Sequence, residues 1–133
     1  MLAGMAEGAT TGRRADRRFP QRVYGTGEEP DPRFSLANER TFLAWMRTSL
    51  ALLAAGVALE ALDLPIAEGV RLASALVFIV LGLLAPVQAW AGWVATERAM
   101  RQSRPLPSPR LGLLTAVGVT AAGLLVLIGL LLR

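Results

Sequence analysis

The chain has 133 residues, of which 53% are apolar, and its 14 basic and 10 acidic residues give a net charge of +4. It is short enough for at most one domain, and it contains neither cysteine nor histidine. Disulfides, thiol chemistry, the usual metal sites and His- or Cys-based nucleophilic relays are therefore excluded.

All basic residues are arginine, and the bias towards Arg, Ala, Gly and Leu matches the coding habit of a GC-rich bacterium. Apolar residues gather in three long runs, Thr41 to Leu62, Leu72 to Thr96 and Leu111 to Leu132. Each is long enough to cross roughly 30 Å of hydrocarbon. A soluble three-helix bundle needs a polar stripe on every helix, and the second and third runs have none. The expected fold is an all-α integral membrane protein with three transmembrane helices, over about 32–62, 70–97 and 111–132, preceded by a mobile basic tail. In such a chain the positive charge is read from its placement around the helices and not as a nucleic-acid footprint.

Residues 1–30 contain the basic cluster GRRADRRF and nothing able to bury a core, so a disordered cytoplasmic tail is expected there, with 31–133 as the membrane domain. Arg17-Arg18-Phe19 superficially matches a twin-arginine export signal, yet the next apolar run begins more than twenty residues later. A basic tail can instead touch anionic headgroups.

Asp31-Pro32 predicts a helix start, with aspartate as the cap and proline at the first helical position. A helix over 32–62 is about 46 Å long, so its first two turns should lie among the headgroups, with Phe34, Phe42 and Trp45 near the interface. At about 100° per residue, Arg40, Ala44, Arg47, Ala51, Ala54 and Ala58 share one face. Phe42, Trp45, Leu52 and Leu53 share the opposite one. Small residues let membrane helices approach closely, so the arginines are expected to face other protein or a pore. Leu64-Pro65 ends the helix, and 63–68 forms a short acidic turn.

In the second helix Ala75, Gly82, Ala85, Ala89, Gly92 and Thr96 form another small-residue seam, expected to meet the first. Pro86 should kink this helix, Trp90 and Trp93 suit the interface, and Gln88 is expected to make an interhelical hydrogen bond. The linker TERAMRQSRPLPSPR is basic, and its three prolines stiffen it. On the third helix Gly112, Ala116 and Gly123 are expected to pack against a neighbour. Arginines crowd before the first helix and in the second linker, where four outweigh Glu97. Positive segments stay inside, so the expected placement is a bacterial plasma (inner) membrane, multi-pass, with a cytoplasmic N-terminus and an outside C-terminus.

No enzyme, metal or cofactor constellation appears; no phosphate loop with its lysine is present. The residues that remain are Asn38, Glu39, Arg40 and Arg47 with Glu97, Arg98 and Arg101. Three readings of Arg47 stand open. It snorkels to the headgroups as an anchor; it or Arg40 pairs with Glu39 or Glu97 of a neighbouring helix; or both arginines line an oligomeric pore that attracts an anion.

The run FSLANERTFLAWMRTSL, Phe34 to Leu50, resembles the signature of the YidH-like family of small bacterial inner-membrane proteins, the domain of unknown function 202. The resemblance extends through the three-helix layout. The same domain forms the membrane part of the vacuolar transporter chaperone complex, whose copies assemble into a channel that passes polyphosphate. The resemblance implies that Asn38-Glu39-Arg40 is the family motif, with Arg40 near a channel entrance. Arg47 matches the bacterial form of the motif, and Arg98 and Arg101 are approximate matches. Neither a polyphosphate-synthesising nor a phosphate-sensing domain is expected within these residues. The functional expectation is an oligomeric anion channel or transport-accessory subunit. Arg40, Arg47, Arg98 and Arg101 are its anion-binding candidates, and Asn38, Glu39 and Glu97 the helix-pairing candidates. The alternative is a structural subunit that stabilises other membrane proteins. Expected partners are the bilayer, a homo-oligomer or other membrane proteins, and an anionic ligand, with no nucleic acid.

Overall fold

Helices make up most of the computed structural model, which describes residues 16–108 and 110–132. In chain order they are α1 (Gln21–Tyr24), α2 (Pro32–Ala61), α3 (Glu68–Arg101) and α4 (Arg110–Leu131). No strand occurs among the described residues. Three helices are long and apolar enough to cross a membrane. The Asp31 carboxylate caps α2 by accepting the Arg33 N–H at 2.9 Å, with Pro32 at the first helical position. Such a pairing satisfies an otherwise orphaned donor.

α3 continues through Pro86 and ends about one turn beyond the expected limit at residue 97. Its last turn closes with Ser103 at φ 51°, the Ser103 N–H on the Met100 carbonyl at 3.2 Å and the Arg104 N–H on Ala99 at 2.9 Å. This is the Schellman arrangement, with serine in the left-handed position that glycine usually takes.

α2 and α4 each pack antiparallel against α3, and among the described residues no Cα of α2 comes within 8 Å of one in α4, so the three long helices form an open layer with α3 in the middle. The side of α2 turned to α3 runs Ser35, Asn38, Phe42, Trp45, Ser49, Leu52, Gly56 and Leu59, all buried or half-buried. Alternating steps of three and four mark the seam of two helices crossing at a shallow angle. Bulk on one helix meets hollows on the other. Leu53 fills the space over Gly82, and Ile79 fills the space over Gly56.

This corrects the expected pairing of two small-residue seams. The α3 seam takes the bulky side of α2, and Ala44, Ala51, Ala54 and Ala58 are left exposed with Arg40 and Arg47. Turning the alanine face of α2 to α3 would have taken Arg40 and Arg47 into the seam with it, whereas the chosen face sets Leu53 and Ile79 into the hollows over Gly82 and Gly56. The face of α4 also differs from expectation. Gly118 receives Leu81, Gly129 receives Ile66 and Val70, and Ala122 is fully buried. Gly112 and Gly123 have open space around them, about a quarter-turn or more away from that contact.

Candidate functional site

The chemistry-bearing side chains collect at the end of the layer where α2 begins and α3 finishes. Ser35 and Asn38 lie on the α3-facing side of α2 and converge on Glu97, which is 2% exposed. The Ser35 hydroxyl donates to one Glu97 oxygen at 2.7 Å, and the Asn38 amide donates to the other at 3.2 Å and to the Trp93 carbonyl at 3.1 Å. Both carboxylate oxygens thus find neutral donors, as a buried acid requires. The Asn38–Glu97 hydrogen bond joins α2 to α3. Glu39, their companion in sequence, is exposed one step around the helix. Deeper in the same seam, Ser49 donates to the Gly82 carbonyl at 2.6 Å. Pro86 explains that acceptor, since it has no N–H to offer the carbonyl four residues back.

Arg101 does something different from the role expected of it. Its side chain is 4% exposed. It donates to the Thr26 carbonyl at 3.2 Å, the Tyr24 carbonyl at 3.5 Å and the Glu29 carboxylate at 3.1 Å. The Arg101 carbonyl in turn accepts the Glu28 N–H at 2.9 Å. Gly27 lies against it at φ +65°, where a β-carbon would collide with that carbonyl. The Tyr24 ring sits 4.4 Å from the Arg18 guanidinium and 5.1 Å from that of Arg101. Arg18 also bridges Asp16 and Glu29. Its hydrogen bonds pull the Asp16 carboxyl down to about 2 and hold Glu29 below the usual carboxylate range, with Arg101 adding to the latter. Within the stretch expected to be a tail, residues 16–30 therefore form a strap folded over the end of α3, while residues 1–15 lie outside the described residues. No apolar run announces such a strap, whose contacts reach Arg101 from Tyr24 and Gly27 far off in sequence.

Arg40, Arg47 and Arg98 are exposed and take part in no ion pair among the described residues. The pairing of Arg40 or Arg47 with Glu97 is not made within the chain, because Glu97 faces the seam and both arginines lie half a turn away on α2. At the opposite end, Arg71 meets Glu60 at 3.6 Å.

Below Glu97, Trp90 stacks on Trp93 with ring centroids 5.2 Å apart and meets Phe42 edge-on at 6.1 Å, in an aromatic tier that Phe19 of the strap joins at 6.4 Å. Beside it a groove of about 650 Å³ opens between α2, α3 and the start of α4, lined by residues that include Asn38, Trp45, Gln88, Thr96, Ser108 and Arg110. The side-chain hydrogen bonds joining α2 to α3 are those of Ser35, Asn38 and Ser49. Gln88 is not among them, contrary to expectation, because it faces the groove. No cluster of acidic side chains able to hold a metal occurs among the described residues.

Comparison with known proteins matches residues 33–99 to the family described as a domain of unknown function (DUF202). Uncharacterized protein Rv2272 of Mycobacterium tuberculosis (strain H37Rv) is 48% identical over 105 residues, covering 77% of this chain and 84% of that one. Inner membrane protein YidH of Escherichia coli (strain K12) is 47% identical over 88 residues, 65% of this chain and 76% of its own. No solved structure matches. These relatives indicate no enzymatic family.

Proposed function

Starting from a chain that belongs to the DUF202 family, and whose relatives include a named inner membrane protein, we propose that this multi-pass membrane protein works as an oligomer in which α2 lines an anion path. The path would admit anions at a cytoplasmic entrance or serve a transport partner. One observation carries the reading: Arg40 and Arg47 stand uncovered on a stripe of alanines, diametrically opposite the side of α2 that α3 occupies. Alanine permits close approach of a neighbouring helix, and arginine at bilayer depth is costly when it faces hydrocarbon alone. A neighbouring copy and a water-filled path relieve both conditions. Exposed Arg98 extends the same positive end. The arginines before α2 and between α3 and α4 favour the N-terminal end as cytoplasmic.

The test has two parts. Native mass spectrometry of the detergent-solubilised protein is expected to give a ring-sized homo-oligomer; a strict monomer in lipid ends the proposal. With Arg40→Gln and Arg47→Gln combined, anion flux into liposomes should fall at least tenfold while assembly persists. Lost assembly without any flux in the parent protein would instead favour a structural subunit, the reading that the bare alanine stripe also suits.

A further inference from the structure

The groove beside the aromatic tier has no place in that reading, which concerns the opposite side of α2. We propose that it binds one anionic phospholipid, with the phosphate at Arg110 and an acyl chain running from there past Trp45 and Gly112 between α2 and α4. Three features support this occupant. First, the backbones of α2 and α4 stand apart, with no Cα pair within 8 Å among the described residues, so the groove between them opens sideways to the bilayer. Because Gly118 rests on Leu81 in an antiparallel pair, Arg110 stands beside Ala89 or Trp90, where the apolar run of α4 begins. That is the depth of the lipid phosphates and esters, and the Trp90–Trp93 pair occupies the same tier, as interfacial tryptophans do.

Second, the lining changes character along its length. Ser108 and Arg110 offer a hydroxyl and a guanidinium on the linker side, while Trp45 and Ala89 offer an apolar wall. Arg110 is exposed and has no ion pair among the described residues. A phosphodiester fits that guanidinium in charge and geometry.

Third, the Gln88 carboxamide faces the groove and joins none of the interhelical bonds. A carboxamide at this depth needs a partner, and the ester carbonyls of a glycerolipid lie immediately below its phosphate. An acyl chain alone would leave Gln88 unmatched; a soluble anion alone would leave the Trp45 wall uncovered.

Native mass spectrometry of the full chain tests this, after titration with phosphatidylglycerol or phosphatidylcholine of identical acyl chains. One lipid should be retained per chain in whatever oligomeric state the protein adopts. Phosphatidylglycerol should be preferred about fivefold, the bias that one arginine confers at an anionic lipid surface. Arg110→Gln should bring the two lipids near parity. Gly112→Phe, at an exposed position lining the groove on the membrane side of Arg110, where a side chain meets open space, should remove the retained lipid while helical content stays unchanged. Lipid that accumulates without saturation and persists in Gly112→Phe overturns the proposal. Displacement of the lipid by millimolar inorganic phosphate also overturns it and assigns a soluble anion. Gly112→Phe that weakens self-association but leaves lipid retention intact gives the groove to a second copy. Lipid retention is read separately from flux, so either result stands without the other.

Discussion

Ser49 shows how one residue can serve another element's defect. Pro86 leaves the Gly82 carbonyl without its helical donor, and the Ser49 hydroxyl supplies one from the neighbouring helix at 2.6 Å. Ser49→Ala should therefore destabilise the protein by about 1 kcal/mol, within the range measured for hydrogen bonds between membrane helices. In a Pro86→Ala background the helix recovers its own bond, and the same substitution should cost close to nothing. Equilibrium unfolding in mixed micelles would measure both, and equal losses in the two backgrounds would refute the explanation. The arginines make a parallel point. Arg40, Arg47, Arg98 and Arg101 look alike in sequence, yet only Arg101 is drawn into the protein, because only it meets the Tyr24 and Thr26 carbonyls and Glu29.

Among the elements, glycines sort by what stands over them. A β-carbon at Gly82 would press on the Leu53 side chain and on its backbone nitrogen, at 3.1 Å, whereas one at Gly123 meets nothing within 4 Å. Gly82→Val should cost about 1–3 kcal/mol through overpacking of α2 against α3, and Gly123→Val should stay within about 0.5 kcal/mol. Comparable losses at both sites in micelle unfolding would mean that helix propensity, and not the seam, governs. Span number, the Asp31-Pro32 cap and the separation of small from bulky faces were legible in sequence, since each depends on neighbours within a few turns. Which face of α2 turns to α3 was not. Angular sorting ranks faces but does not say whether small meets small or bulk fills a hollow. Two further facts were within reach: Ser35 to Leu59 keep an unbroken three-four spacing, and burying the other face would have taken Arg40 and Arg47 with it. The strap over α3 was not within reach, because its contacts join Tyr24, Gly27 and Glu29 to Arg101 across more than seventy residues.

For the molecule as a whole, orientation is the property to test first. The chain has no cysteine, so an introduced thiol is the only one present. Ser103→Cys should resist a membrane-impermeant thiol reagent applied to intact cells, and Asp63→Cys should react. The reverse pattern would invert the topology and move Arg40 and Arg47 to the far side. Whichever way the protein inserts, the open layer has helices of unequal reach. The 34 residues of α3 extend about 51 Å, and its last three turns rise past the start of α4. That rise carries the strap, whose Asp16, Arg18 and Glu29 cannot enter hydrocarbon. The strap thus acts as a collar on a post. In a thinner bilayer α3 can lean to match its apolar length, as long helices do, but the collar already reaches the headgroup tier through Phe19, and leaning further on that side would press its charges into hydrocarbon. Tilt is thereby bounded on one side, and the bound is set by Gly27 at the turn that seats the collar.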